Sequence, residues 1–172
     1  LRDPNVIVGF FSLCENVFLR CRPAILPLLN AVLLLGARSL ACNENKVCRT
    51  ILVVLETILS EECALPVEQQ AVNAALGAAG PRLVQALLLA IATQLPSMLA
   101  KKVGGLIYTM LQKSAETTRD WVHRVLVDPS FPSQHLKPAD KETFLKALWA
   151  LRPQGKADTS RPFSSMVSDF SA

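Results

Sequence analysis

Apolar residues recur every three or four positions along nearly the whole chain, in segments separated by Pro, Gly and Asn. The first segment shows this most clearly, because it carries Val6, Ile7, Phe10, Phe11, Leu13, Cys14, Val17 and Phe18 at such intervals. That spacing is typical of an amphipathic helix. No segment alternates apolar and polar residues as a half-buried strand does, so the sequence predicts an all-α fold.

Capping residues and prolines predict where the helices begin and end. Asp3 and Ser114 suit N-cap positions. Pro81 predicts a break between two helices, and the two prolines of segment 128–133 predict an irregular loop. We therefore expect helices at about 4–20, 24–37, 46–60, 67–76, 82–93, 98–112, 115–127 and 138–151, with a short last helix at 163–170.

These helices fall into antiparallel pairs, which are typical of an α-solenoid. The pairs are 4–20 with 24–37, 46–60 with 67–93, and 98–112 with 115–127. Several helices are apolar on all sides and need neighbours on both sides, as in HEAT-like repeats of about 40 residues. A closed helical bundle is the alternative. We interpret residues 1–152 as part of a longer solenoid, about four repeats, and 153–172 as a polar loop and short terminal helix.

The composition excludes a disordered chain and gives no indication of a membrane protein. With 172 residues, 51% of them hydrophobic and 19% charged, the chain can bury a substantial core. Its two most apolar stretches, Ala24–Ala37 and Leu83–Ala92, are shorter than the roughly 18–20 residues that span a bilayer. We therefore expect buried helices and no insertion into a membrane.

A search for catalytic or metal-binding patterns gives no candidate. His123 and His135 are not spaced from a Cys or a carboxylate as metal ligands would be. The five cysteines form no C-x-x-C pair, and Gly104-Gly105 lacks the spacing of a phosphate-binding loop. The sequence therefore predicts no enzyme activity, no metal and no cofactor.

The formal net charge of +4 lies wholly in the C-terminal part of the chain. Residues 1–100 hold seven basic and seven acidic side chains, whereas residues 101–172 hold eleven and seven. A positive surface of this kind suits an acidic protein partner, and a solvated outer face with a basic tail is the alternative. Direct nucleic-acid binding is not expected, because few aromatic residues lie among the scattered basic ones.

Several short motifs occur in an order that resembles the C-terminal part of the importin-β superfamily, the karyopherins. The motifs are Gly80-Pro81-Arg82-Leu83, Trp121-Val122, Asp128-Pro129-Ser130-Phe131-Pro132-Ser133 and Lys141-Glu142-Thr143-Phe144. The order is similar to the importin-13 and transportin-3 branch, and the Phe-Pro-Ser loop followed by Lys-x-Thr-Phe is closer to importin-13. The resemblance covers roughly residues 4–150, and none of its motifs is catalytic.

The resemblance implies a segment of a nuclear transport receptor. Such a receptor binds protein cargo on the concave face of a HEAT solenoid, for nuclear import regulated by Ran-GTP and in some cases for export. Ran-GTP would bind mainly through an N-terminal region that this sequence does not contain, and nucleoporins would be further partners. The receptor would shuttle between cytoplasm and nucleus. The alternative is a helical-repeat scaffold or adaptor that is unrelated to Ran.

The resemblance also gives candidate cargo contacts, because helices 4–20, 46–60 and 98–112 would line the concave face. Their polar positions are Arg20, Arg22, Arg49, Glu56, Lys101, Lys102 and Lys113. Arg20 and Arg22 precede a turn and are expected to project at the edge of a repeat, where an Arg can bind a carboxylate through two hydrogen bonds. Favourable placement at a helix C-terminus is the alternative explanation for them.

The first helix is expected to leave an apolar face uncovered, since no earlier repeat is present in this sequence to pack on it. We therefore predict that the isolated chain associates with increasing concentration.

Overall fold

The computed structural model describes residues 3–42, 44–92, 95–131 and 138–150. These residues form helices and short connections and contain no strand, which confirms the all-α prediction. The helices are α1 Pro4–Arg20, α2 Arg22–Ile25, α3 Leu29–Ser39, α4 Asn45–Ser60, α5 Pro66–Ala92, α6 Ser97–Lys113, α7 Ala115–Val127 and α8 Pro138–Ala150. Single 3-10 turns occupy Leu26–Leu28 and Leu40–Cys42. The predicted loop and helix at 153–172 lie outside the described residues.

Helix α1 begins as its capping sequence predicts. The Asp3 carboxylate accepts a hydrogen bond of 2.8 Å from the backbone N–H of Asn5, and Pro4 occupies the first helical position. Pro suits that position because its missing N–H would have no partner in the helix. At the other end, the N–H of Cys21 donates to the carbonyl of Val17, and the helix stops at Arg20.

The predicted break at Pro81 is wrong, because α5 is one continuous helix of 27 residues with Pro81 inside it. Proline normally excludes its preceding residue from the helical region through a clash with that residue's Cβ. Here the preceding residue is Gly80, which has no Cβ. The apolar residues on both sides of the proline are buried and hold the helix together, among them Leu76, Ala79, Leu83, Val84, Leu87 and Leu88.

The single helix predicted at 24–37 is also wrong at its N-terminal end. The chain instead forms the short α2, a 3-10 turn over Leu26–Leu28, and then α3. Pro27 lies in that turn, where its missing N–H removes the hydrogen bond that an uninterrupted helix would need. Ser114 does occupy the N-cap position of α7, but its hydroxyl donates to the Thr117 hydroxyl over 2.9 Å rather than accepting a backbone N–H.

The chain divides into two compact units, residues 1–86 and 87–172, and the division falls within α5. In the first unit α1 and α4 pack side by side and run in the same direction. The Thr57 hydroxyl donates to Glu15 over 2.9 Å, and Phe11 and Ile51 meet at Gly36 of α3. Residues later in α1 therefore lie beside residues later in α4. Because α3 connects the two through a turn at each end, it runs in the opposite direction.

In the second unit α7 packs against both α6 and α8. The Thr118 hydroxyl donates to the carbonyl of Met110 over 3.1 Å, which ties α7 to α6. At its other contact, Arg119 and His123 both lie against Trp149 near the end of α8. After α7, Phe131 lies beneath the ammonium of Lys141 near the start of α8, at 5.3 Å from the ring centroid. Helices α7 and α8 are therefore antiparallel.

The loop after α7 begins with the irregular structure that its prolines predict. Asp128 and Pro129 leave the helix, and the Asp128 carboxylate accepts hydrogen bonds from the hydroxyl and the N–H of Ser130 at 2.7 and 2.8 Å. These two bonds hold the pKa of the Asp128 carboxyl below its ordinary value. Residues 132–137, which include His135, lie outside the described part of the chain.

Two helical stretches, Arg22–Cys42 and Pro66–Ala92, are longer than the apolar stretches read from the sequence. Each is long and apolar enough to span a membrane. In the apolar 18-residue segment of each stretch, 44% and 56% are buried inside the structure, respectively. Core helices of water-soluble proteins meet the same two criteria, so length and composition alone do not indicate a membrane.

Candidate functional site

An open apolar groove of about 370 Å³ runs along one side of α1 in the first unit. Helix α1 forms one wall, and α2, the 3-10 turn and α3 form the other. The lining residues are all apolar apart from the thiol of Cys14, and they include Phe10, Leu13, Val17, Ile25, Leu28 and Leu35. A groove with this lining can hold an apolar side chain or a helix face, but it offers no polar group to orient a reacting substrate.

The groove exists because α1 carries two apolar stripes rather than one. The first stripe, Ile7, Phe11, Cys14 and Phe18, is buried in the first unit. The second stripe, Val6, Phe10, Leu13 and Val17, is displaced around the helix, and its last three residues line the groove. Leu13 is 61% exposed and Val6 52%, and across the groove Leu28 is 60% exposed. Large apolar side chains exposed together in this way mark an interaction surface.

Sequence reasoning named the residues of both stripes and predicted an uncovered apolar face on this helix, but it did not separate the buried residues from the exposed ones. The signal for a second surface was present, because eight apolar residues among positions 6–18 cover more of the helix circumference than a single contact needs.

The predicted cargo contacts of the first unit lie on different surfaces. Arg20 is exposed at the C-terminal end of α1, whereas Arg49 is exposed near the start of α4. Since α1 and α4 run in the same direction, these two guanidinium groups lie at opposite ends of the helix pair. Glu56 is also exposed and follows Arg49 by seven residues, or about two helical turns. The two side chains therefore share one face of α4 and are about 10 Å apart along its axis.

Arg22 does not project from the molecule as its position in the sequence predicts. Its guanidinium lies 4.7 Å from the centre of the Phe18 ring and donates to the carbonyl of Glu62 over 3.1 Å. It also forms ion pairs with Glu61 at 3.8 Å and Glu68 at 3.6 Å. Arg22 therefore ties α2 to the connection between α4 and α5.

The remaining predicted contacts lie in the second unit, on α6. Lys101 and Lys113 are exposed, and Lys102 is half-buried. Lys102 and Lys113 are eleven residues apart, about three helical turns, and so share one face. The structure thus places predicted contacts on both units, and those of the first unit do not form one surface.

The thiols of the buried cysteines are poorly suited to chemistry. Burial raises the pKa of the Cys14 thiol, and burial together with the neighbouring Cys42 and Glu44 raises the pKa of Cys48 to about 11. A thiol with such a pKa is protonated at neutral pH and is therefore a weak nucleophile and a weak metal ligand. Within the described residues, no three His, Cys, Asp or Glu side chains come together as a metal site.

No protein-family model matches the chain, and no curated protein sequence matches it.

Proposed function

We propose that this chain is a protein-binding segment of a nuclear transport receptor of the importin-13 and transportin-3 branch. In this proposal its helices belong to a HEAT-like solenoid, and the segment binds protein cargo in a transport cycle regulated by Ran-GTP. The receptor meets nucleoporins and shuttles between cytoplasm and nucleus.

The observation that carries this proposal is the helix order of the first unit. Helices α1 and α4 lie side by side and run in the same direction. Helix α3, which lies between them in the chain, runs in the opposite direction. Equivalent helices of successive repeats meet in this way in α-solenoids, because each repeat covers the apolar face of the next. The order of short motifs from Gly80 to Phe144, which resembles the same receptor branch, supports the transport role.

The exposed charges supply candidate cargo contacts. Arg49 and Glu56 share a face of α4 that carries one charge of each sign, and exposed Lys113 shares a basic face of α6 with half-buried Lys102. Arg20 at the end of α1 and Lys101 on α6 are also exposed and are further candidates. A basic surface attracts acidic regions of a folded cargo and raises the rate of encounter.

Nuclear entry of the labelled full-length protein in permeabilised cells tests this function. A transport receptor passes the nuclear pore unaided, since it binds nucleoporins, so we expect accumulation at the envelope and inside nuclei. An inert protein of equal mass is the control and should stay outside. Exclusion from nuclei to the level of that control would contradict the proposal and leave the scaffold or adaptor that does not depend on Ran.

A further inference from the structure

One side of α6 carries a row of residues with a lysine at each end and small residues between them. Lys101, Gly105, Thr109 and Lys113 follow one another at intervals of four residues, which places them along one ridge of the helix. Both lysines are exposed, and the two residues between them are half-buried. We define these four residues as the α6 row.

The middle of the α6 row is a shallow notch between the two lysines. A Cβ at Gly105 would meet nothing within 4 Å, so the space over this residue is open. The Thr109 hydroxyl donates to the carbonyl of Gly105 over 3.0 Å, so its polar group is already satisfied within the helix. A second helix can therefore approach α6 closely at this point, because no long side chain stands in the way.

The α6 row is basic and has no acid on its own helix to neutralise it. Helix α6 contains three lysines and neither Asp nor Glu. Among the residues that the structure describes, Lys101 and Lys113 form no ion pair, whereas Arg124 on α7 pairs with Asp120 at 2.9 Å. The ammonium groups at the two ends of the notch are therefore available to the carboxylates of a partner.

The α6 row is not a face that a further repeat would cover. Repeats of a solenoid pack on one another through apolar faces. The apolar side of α6 is already buried, through Leu99, Val103, Ile107 and Met110 among others, and its neighbours in the chain, α5 and α7, are both present. The exposed row is therefore a polar surface of the folded chain itself.

We propose that the α6 row binds an acidic helix of a protein partner, which lies over the notch and places one carboxylate at each lysine. This inference names the chemistry of the cargo, and it rests on the proposed function for the identification of that partner as cargo. Binding of the helix itself needs neither Ran nor a nucleus. The binding and the transport role can therefore fail separately.

The separation of the two lysines sets the separation of the partner's carboxylates. Lys101 and Lys113 are twelve residues apart, about 18 Å along the axis of α6, and their ridge is inclined by about 26° to that axis. The distance along the row is therefore about 20 Å, close to four turns of a helix. Two acidic residues about fourteen positions apart lie on one face of a partner helix and meet both lysines.

The contact is expected to be weak for an isolated helix and sensitive to salt. Exposed pairs of lysine and carboxylate contribute little individually and are screened by dissolved ions. We therefore expect a dissociation constant on the order of 100 μM at low ionic strength, rising as salt is added.

Fluorescence anisotropy with two labelled alanine-rich helical peptides and the full-length protein tests the geometry. Both peptides have the same composition with two glutamates, which are about fourteen residues apart in the first and about four apart in the second. The first should bind roughly fivefold more tightly or better, since only it reaches both lysines. Equal affinity of the two peptides overturns the proposal, and so does a single-stranded RNA that binds the row more tightly than the first peptide at the same ionic strength.

Charge reversal tests whether the lysines hold the first peptide. Lys101→Glu and Lys113→Glu should each weaken its binding by roughly tenfold, because each brings a carboxylate against a glutamate of the peptide. Lys46→Glu is the matched control, since Lys46 is an exposed lysine of the first unit, and it should leave the affinity nearly unchanged. Equal loss of affinity in all three variants would mean a general effect of net charge and overturns the proposal.

Filling the notch tests the close approach without any change of charge. Gly105→Leu should weaken binding of the first peptide by roughly tenfold, because its side chain occupies the space that the partner helix needs. Gly77→Leu is the matched control, since Gly77 of α5 is exposed and also has nothing within 4 Å of its Cβ position. Circular dichroism checks that both variants keep their helix content. Unchanged affinity of a folded Gly105→Leu variant overturns the proposed placement of the helix.

Discussion

Arg22 and Arg20 differ in environment although they are two residues apart. Arg20 is exposed at the end of α1, whereas the Arg22 side chain is only 14% exposed and reaches Glu61, Glu62 and Glu68. The sequence could not distinguish these arginines, because the partners of Arg22 lie about 40 residues further along the chain. Only the packing of α1 on α4 brings them together.

Arg22→Ala should therefore destabilise the protein, whereas Arg20→Ala should not. Removing the guanidinium leaves the Glu68 carboxylate buried without this partner, and we expect a loss of about 1–3 kcal/mol in the free energy of unfolding. Arg22→Lys should recover only part of it, since an ammonium cannot reproduce the planar fork of the guanidinium. Urea denaturation of the three variants measures this. Equal stability of Arg22→Ala and Arg20→Ala would contradict the structural role of Arg22.

Helix α3 approaches its neighbours at Gly36, where Phe11 of α1 and Ile51 of α4 meet. A Cβ at Gly36 would lie 3.5 Å from Ile51 Cγ2 and 3.6 Å from Phe11 Cε1, which is ordinary van der Waals contact. The site therefore has room for one methyl group and no more.

Gly36→Ala should raise the free energy of unfolding by about 0.5–1 kcal/mol, because alanine favours the helix and its methyl group fits. Gly9→Ala is the matched control, since Gly9 lies within α1 with nothing within 4 Å of its Cβ position and reports helix propensity alone. Gly36→Leu should destabilise through overpacking. Thermal unfolding checks the series, and a lower midpoint for Gly36→Ala than for the unchanged protein would show that the three helices pack differently.

The sequence predicted which segments are helical, but it did not predict where a helix is interrupted and where it continues. The periodic apolar residues of α1, α4 and α7 can be buried only if those segments are helical. The sequence predicted a continuous helix through Pro27 and a break at Pro81. The chain instead turns at Pro27 and continues as a helix through Pro81. The difference depends on the neighbouring residue, Gly80 in the second case, and on apolar partners contributed by distant segments.

At the scale of the whole molecule, sequence reasoning predicted the helical class, the candidate charges and an uncovered apolar face on the first helix, but not which residues line the groove. The sequence shows that α1 carries apolar residues around more of its circumference than one contact needs. Which of these residues are buried depends on how α4 packs against α1. The proposed transport role rests on the helix order of the first unit and on motifs that run through the second, and both units carry exposed basic side chains.

Selective binding to Ran in its GTP-bound state tests the proposed function most directly. The full-length protein should be retained by immobilised Ran locked with GTP and not by Ran loaded with GDP, because a transport receptor distinguishes the two states. Equal retention by both forms, or retention by neither, would contradict the account.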